Sequence, residues 1–226
     1  DLDVSDIRAA PSGRLAVRTG IRSPDELITR LDGHAGPLAY LAGQVKAGRR
    51  GFVIVPLVHP PEPDPDLPPP PGPPPTHIAA AVALIEGGWE AACLAADAPG
   101  LPLRLAVVHG QMKVAERDAQ MTRFRAGEVD VLVGTTVLEV GVDVPDATAM
   151  IILDADRFGI AQLHQLRGRV GRGSRESFCM LLYAQPLGET AKERLALMEA
   201  TDDGLLIAEK DLELRGRREA LGARPS

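Results

Sequence analysis

Hydrophobic and polar positions along this chain fall into two alternating regimes. Short, nearly continuous apolar runs, the signature of strands buried on both faces, alternate with segments whose apolar residues return every three or four positions. Leu38, Leu41, Ala42 and Val45 repeat at helical spacing and stop at Lys46-Ala47-Gly48, where glycine suits a helix end. Phe52 to Val58 follows as a buried strand, Ile78 to Ala96 as an alanine-rich helix weakened at Gly87-Gly88, and Leu103 to Val108 as a second strand. Ala115 to Phe124 is a charged amphipathic helix, Val129 to Val133 a third strand and Ala149 to Leu153 a fourth. Ile160 to Arg167 is again helical, and Phe178 to Tyr183 is a fifth strand. This alternation predicts an α/β fold, a parallel sheet with helices on both faces, and places function at the C-terminal ends of the strands. Beyond Pro186 two charged helices are expected, Ala191 to Glu199 and Leu205 to Leu214. The first thirty-odd residues, punctuated by Pro11-Ser12-Gly13 and Ser23-Pro24-Asp25, read as a lead-in rather than core. The organisation is thus a lead-in over 1–33, a domain over 34–186 and a helical hairpin over 187–226.

Composition sharpens this picture at three points. Residues 60 to 75 hold 11 of the 20 prolines, which excludes helix or central strand and makes 59–76 an extended surface insertion. Cys93 and Cys179 stand alone, which excludes disulfide scaffolds and zinc modules and favours a reduced, cytoplasmic setting. No apolar run approaches the roughly 18 residues of a membrane span, so no membrane partner is expected. The opening Asp-Leu-Asp-Val-Ser, without Met or a signal pattern, reads as a cut inside a longer protein.

The net charge of −6 is less informative than its distribution. Residues 59 to 100 carry six acids and no Lys or Arg, so the remainder is balanced at 25 basic and 25 acidic residues. Within that remainder, Arg157 to Arg175 holds five arginines and no acid.

The chemistry concentrates in Gln165-Leu-Arg-Gly168-Arg169-Val-Gly171-Arg172. Two Gly-Arg pairs three apart at a helix end allow close backbone approach while two guanidiniums point one way. Such planar donor forks suit triphosphate oxygens or the phosphates of nucleic acid. About twenty residues earlier, Thr135-Thr136-Val-Leu-Glu139-Val-Gly141-Val-Asp143-Val-Pro145 follows a buried strand. Its hydroxyls and glycine turn can hold a phosphate, and Asp143 can orient a ribose hydroxyl or an arginine.

Together these stretches resemble motifs V and VI of superfamily 2 helicases, on the second RecA-like domain. More narrowly the chain resembles the bacterial RecG family of ATP-dependent DNA helicases. The resemblance rests on Asp1-Leu-Asp-Val-Ser, His109-Gly110-Gln-Met112, Thr135 to Pro145, Arg157 to Gly173 and Asp211-Leu-Glu-Leu-Arg-Gly216. Transcription-repair coupling factors share the last two blocks, but usually read Thr-Gly-Ile-Asp-Ile-Pro where this chain has Val140-Gly-Val-Asp-Val-Pro145.

The resemblance implies that Arg169 and Arg172 reach the γ-phosphate of ATP, accompanied by Mg²⁺, on a first RecA-like domain that this sequence lacks. It implies that Gln165 helps sense the nucleotide and that Gly141, Asp143 and Gly168 complete the cleft. Thr135, Thr136, Gly110 and Met112 would meet DNA phosphates, and Arg194, Arg215 and Arg217 would couple nucleotide state to translocation on duplex DNA. The implied partners are branched or forked DNA and the missing wedge and first helicase domains. The implied output is fork reversal and branch migration in recombination and repair. A transcription-repair translocase and a stand-alone, non-catalytic DNA- or protein-binding module are the alternatives. Two features depart from the family pattern. The proline-rich insertion is one. The other is Arg215-Gly-Arg-Arg-Glu-Ala-Leu-Gly222-Ala-Arg-Pro225, where the family usually has Arg-Gly-Pro-Gly-Glu-Leu-Leu-Gly-Thr-Arg-Gln. No Gly-x-x-x-x-Gly-Lys-Ser/Thr loop and no strand-end acidic pair for Mg²⁺ occur in the chain, so by itself it is expected to be inactive on ATP.

Overall fold

A computed structural model describes residues 17–28, 35–62, 72–136, 144–173 and 175–222, with side chains as far as 213. Six strands, β1 (Val17–Arg22), β2 (Arg50–Ile54), β3 (Leu105–Val108), β4 (Val131–Gly134), β5 (Ala147–Ile152) and β6 (Ser177–Leu182), form one sheet in the order β1-β6-β5-β2-β4-β3. Every pairing is parallel, as strands buried on both faces and joined by helices require. The helices are α1 (Pro37–Lys46), α2 (Ile78–Ala95), α3 (Val114–Ala126), α4 (Ile160–Arg167), α5 (Glu189–Ala200) and α6 (Gly204–Gly222).

Two apolar layers flank the sheet. One, built on Phe52, Ile54, Phe124, Leu132, Ile152, Leu163 and Leu195, lies beneath α3, α4 and α5. The other, built on Leu38, Leu41, Val53, Ile85, Trp89, Val133 and Ile151, lies beneath α1 and α2. Strand residues alternate between the layers (Phe52 and Ile54 to one, Val53 and Val55 to the other), which is why their runs are continuously apolar.

Three findings differ from the sequence expectation. The presumed lead-in contributes a sixth strand: β1 pairs with β6 at the sheet edge, Val17 opposite Ser177 through Arg22 opposite Leu182. Its sequence, Val-Arg-Thr-Gly-Ile-Arg, mixes two arginines with apolar residues that are only half-buried, so it lacks the apolar run that marks the central strands. Second, α2 passes through Gly87-Gly88 unbroken, and a side chain at Gly88 would press on Leu38 and Ile28, so this glycine serves close packing. Third, α2 is 18 residues long and apolar enough by length and composition to cross a membrane, against the expectation that no run approached that size. Its row Ile78, Ala81, Ile85, Trp89, Ala92 and Cys93 is buried against the sheet, while Leu84 and Leu94 are exposed.

Candidate functional site: two edges of one sheet

The candidate residues divide between opposite edges of the sheet. At the C-terminal edge, β3 and β4 end side by side, with Val108 paired to Gly134. Gly110 and Met112 lie in the turn that follows β3, closed by Met112 N–H donating to the His109 carbonyl at 3.2 Å. Gly110 is exposed and faces open space: a Cβ there would meet nothing within 4 Å. Thr135, buried, and Thr136, half-buried, directly follow β4. The structure therefore brings the predicted pairs Gly110/Met112 and Thr135/Thr136 to neighbouring strand ends, where backbone N–H groups and hydroxyls can serve a phosphate backbone.

The arginine motif sits at the other edge. Helix α4 starts beyond the end of β5 and finishes before the start of β6, so in an all-parallel sheet it must run back to where strands begin. The chain then packs among first residues of strands. Gly171 has φ +73°, and a Cβ there would lie 2.5 Å from Val17 Cγ2 and 3.7 Å from Ser177 Cβ. A Cβ on Gly173 would lie 3.2 Å from the Pro145 carbonyl oxygen, two residues before β5. The arginine motif thus lies at the N-terminal edge rather than at the C-terminal strand ends, because the crossover helix carries it there.

Within the motif, helical phase separates roles. Ile160, Leu163 and Arg167 share the buried face of α4, while Gln165, Gly168 and Arg172 are exposed and Arg169 is half-buried. Arg172 folds back so that its Nε donates to the Gly168 carbonyl at 3.1 Å, which sets its guanidinium beside the helix end. Gly168 stands at the C-cap with φ −64°, and a Cβ there would crowd the Gln165 carbonyl at 3.3 Å. Arg50, Asp146 and Arg175 add an ionic cluster at this edge, with Asp146 3.2 Å from Arg175 and 3.7 Å from Arg50. Gly141 and Asp143 lie outside the described residues.

Arg167 was not singled out in the sequence, yet it is 3% exposed and bonded to both the hairpin and β1. Its Nη1 donates to the carbonyls of Met198 at 2.7 Å and Thr201 at 3.0 Å and to Thr19 Oγ1 at 3.3 Å, and pairs with Asp202 at 3.1 Å. Its Nη2 meets His164 Nδ1 at 3.1 Å. Burial, and then the Arg167 charge, lowers the His164 pKa, and because a guanidinium can only donate, Nδ1 accepts this bond. The signal was present in the chain: Arg167 lies seven residues after Ile160 and four after Leu163, on the apolar phase of α4.

Arg194 of α5 makes the reverse connection, donating to the carbonyls of Asp156 at 2.8 Å and Phe158 at 3.1 Å. These belong to the 3-10 turn Ala155–Arg157 and the residue after it, which lead into α4. Arg215 and Arg217 lie in α6, and their side chains are outside the described residues. Among the described residues no three His, Cys, Asp or Glu groups converge on one point.

The family model for the helicase conserved C-terminal domain matches residues 91–174. The ATP-dependent DNA helicase RecG of Acidithiobacillus ferridurans is 44% identical over 99% of this chain and 29% of its own length. That of Escherichia coli strain K12 is 43% identical, again over 99% of this chain and 29% of the relative. A solved structure of RecG bound to a three-way DNA junction superposes with a TM-score of 0.65 at 35% identity, over 90% of this chain and 23% of that one. The chain belongs to the RecG family of superfamily 2 helicases. It corresponds to the C-terminal helicase domain and spans under a third of the length of these relatives, and its six-stranded sheet is the RecA-like fold of that domain.

Proposed function

We propose that this chain is the motor half of an ATP-dependent double-stranded DNA translocase acting on branched DNA in the cytoplasm. The observation that carries the reading is the division of the candidate site: phosphate-facing loops on one edge of the sheet, paired arginines on the other, and one rigid helix running between them. Arg169 and Arg172 serve as arginine fingers toward the γ-phosphate of ATP held by a first RecA-like domain, where charge grows during phosphoryl transfer. Gln165, exposed on the same helix end, reports on the nucleotide, and Gly141, Asp143 and Gly168 complete the cleft. ATP and its Mg²⁺ are bound mainly by that other domain. Mg²⁺ there would neutralise charge on the β- and γ-phosphates.

At the opposite edge, Gly110, Met112, Thr135 and Thr136 hold the DNA backbone without reading sequence, as suits an engine that moves along any duplex. Arg194, with Arg215 and Arg217, couples the hairpin to the motif. Fork reversal and branch migration follow if a wedge domain splits the junction while this motor moves the duplex. The test is ATP hydrolysis by the 226-residue chain, with and without forked DNA, beside a polypeptide that also carries the phosphate-loop domain. The expected result is no turnover by the chain alone and DNA-stimulated turnover by the longer polypeptide. DNA-stimulated turnover by the chain alone would mean that it holds a complete nucleotide site and would refute the finger-donating role.

A further inference from the structure

The proline-rich insertion is anchored at both of its roots, and each anchor falls on a different part of the site. At the first root, five residues beyond the end of β2, His59 Nε2 donates to Gln111 Oε1 at 2.9 Å, and the His59 ring meets the His109 ring edge-on with centroids 6.5 Å apart. Gln111 lies between Gly110 and Met112, in the turn facing open space. At the second root, Thr76 N–H donates to Asp154 Oδ2 at 2.6 Å, and Arg157 Nη2 donates to the Pro73 carbonyl at 2.7 Å. Asp154 and Arg157 also face each other at 3.8 Å.

Asp154 is one of two non-glycine residues with positive φ among those described, at +50°. Left-handed backbone is unfavourable for a residue with a side chain, and aspartate tolerates it best when its carboxylate is locally bonded, as here. Asp154 opens the 3-10 turn Ala155–Arg157, which Arg194 holds from the hairpin side and which leads through Phe158 and Gly159 into α4. The 8-residue α4 rises about 12 Å, rigidly, to the arginines at the far edge.

We propose that the two roots of the insertion are a positioning element, in which Asp154, Arg157 and His59 tie the DNA-facing turn at Gly110–Met112 to the entry of α4 and so transmit DNA engagement to the arginine edge. This rests on the DNA-translocase reading. None of the three residues touches the nucleotide in that reading. The path runs through described residues: Gln111 to His59, back along the chain to Leu57, whose carbonyl accepts from Ile78 N–H at 3.1 Å, and from there through His77 and Thr76 to Asp154, with Arg157 on the Pro73 carbonyl beside it. Displacement of the turn by a bound phosphate backbone shifts the 3-10 turn, and with it the helix that presents Gln165 and Arg172.

The experiment measures basal and DNA-stimulated ATP hydrolysis and forked-DNA binding by the full-length protein, comparing the unaltered form with Asp154→Gly, Asp154→Asn, Arg157→Ala and His59→Ala. Asp154→Gly relieves the backbone but removes the tie, whereas Asp154→Asn keeps an acceptor for Thr76 N–H and tolerates the left-handed conformation. The expected outcome is a loss of about fivefold in the DNA-stimulated rate for Asp154→Gly, Arg157→Ala and His59→Ala, with the basal rate and DNA affinity within about twofold, as for a coupling element rather than a contact. Asp154→Asn should recover most of the stimulation. Stimulation unchanged in all four variants would overturn the proposal, as would basal and stimulated rates falling together with the unfolding midpoint. Failure of the unaltered protein to respond to DNA would instead bring down the translocase reading. Amide exchange of Ile160–Arg167 in the 226-residue chain gives a readout free of turnover: it should accelerate about fivefold in Asp154→Gly, and unchanged exchange there would show that the turn does not hold α4.

Discussion

Arg167 near the end of α4 donates to the Met198 carbonyl at 2.7 Å, and Arg194 of α5 donates to the Phe158 carbonyl just before α4 begins. The two helices therefore lie side by side, tied at both ends by guanidiniums, one from each. Arginine suits this work because one planar group can satisfy several carbonyls and a carboxylate at once, which the point charge of lysine cannot. The apolar contact of Leu163 and Leu166 with Leu195 and Met198 fills the same core layer. The hairpin is thus bound to the arginine motif by packing and by directed bonds.

Arg167→Ala should cost about 3 kcal/mol, because two carbonyls and the buried end of α5 lose a charged donor. Arg167→Lys should recover under half of that loss. Chemical denaturation of the 226-residue chain measures both, and a loss under about 1 kcal/mol for Arg167→Ala would contradict its structural role.

Arg172→Ala should behave in the opposite way. Its side chain is exposed, so the unfolding midpoint should stay within about 2 °C. DNA-stimulated hydrolysis by the full-length protein should fall by about a thousandfold, the scale of an arginine finger. Near-normal turnover in this variant would remove Arg172 from the reaction.

His164 gives the domain a pH dependence. Burial, then Arg167, lowers its folded pKa, while Asp202 partly offsets this. A base with a lowered folded pKa binds fewer protons folded than unfolded, so stability is complete above the unfolded value of about 6.5 and is lost as pH falls below it. The unfolding midpoint should drop between pH 7.5 and pH 5.5, and drop less in His164→Gln. Equal drops in the two proteins would assign the dependence elsewhere.

Gly171→Ala should destabilise by about 2 kcal/mol or more, since φ is +73° and the new Cβ would overlap Val17 of the edge strand. Gly110→Ala, in open space, should be nearly neutral for folding. Comparison of the two midpoints tests whether the motif glycine serves the β1 contact.

Cys179 is wholly buried in β6, and burial raises its thiol pKa to about 12. Cys93, also buried, is raised for the same first reason. Neither should react with a thiol-specific disulfide reagent at pH 8 in the native state, and both should react fully on denaturation. Rapid native labelling would show that these layers open readily.

The sequence by itself determined the central strands, the helix spacings and the family, because continuous apolar runs, 3.6-residue periodicity and the Gly-Arg pairs are local properties of a chain. The proline run also predicts that 59–76 is neither helix nor central strand, because proline fixes φ, though its residues 63–71 lie outside the described residues. Tertiary structure alone decided that Val17–Arg22 is a strand, since a half-buried edge strand is stabilised by its neighbour rather than by its own pattern. It decided that the arginine motif and the loops at Gly110–Met112 and Thr135–Thr136 occupy opposite edges, which follows from the direction of a crossover helix in a parallel sheet. It also decided that the roots of the insertion fasten on Gln111, Asp154 and Arg157, since bonds between residues 52 to 84 positions apart leave no periodic trace in a sequence.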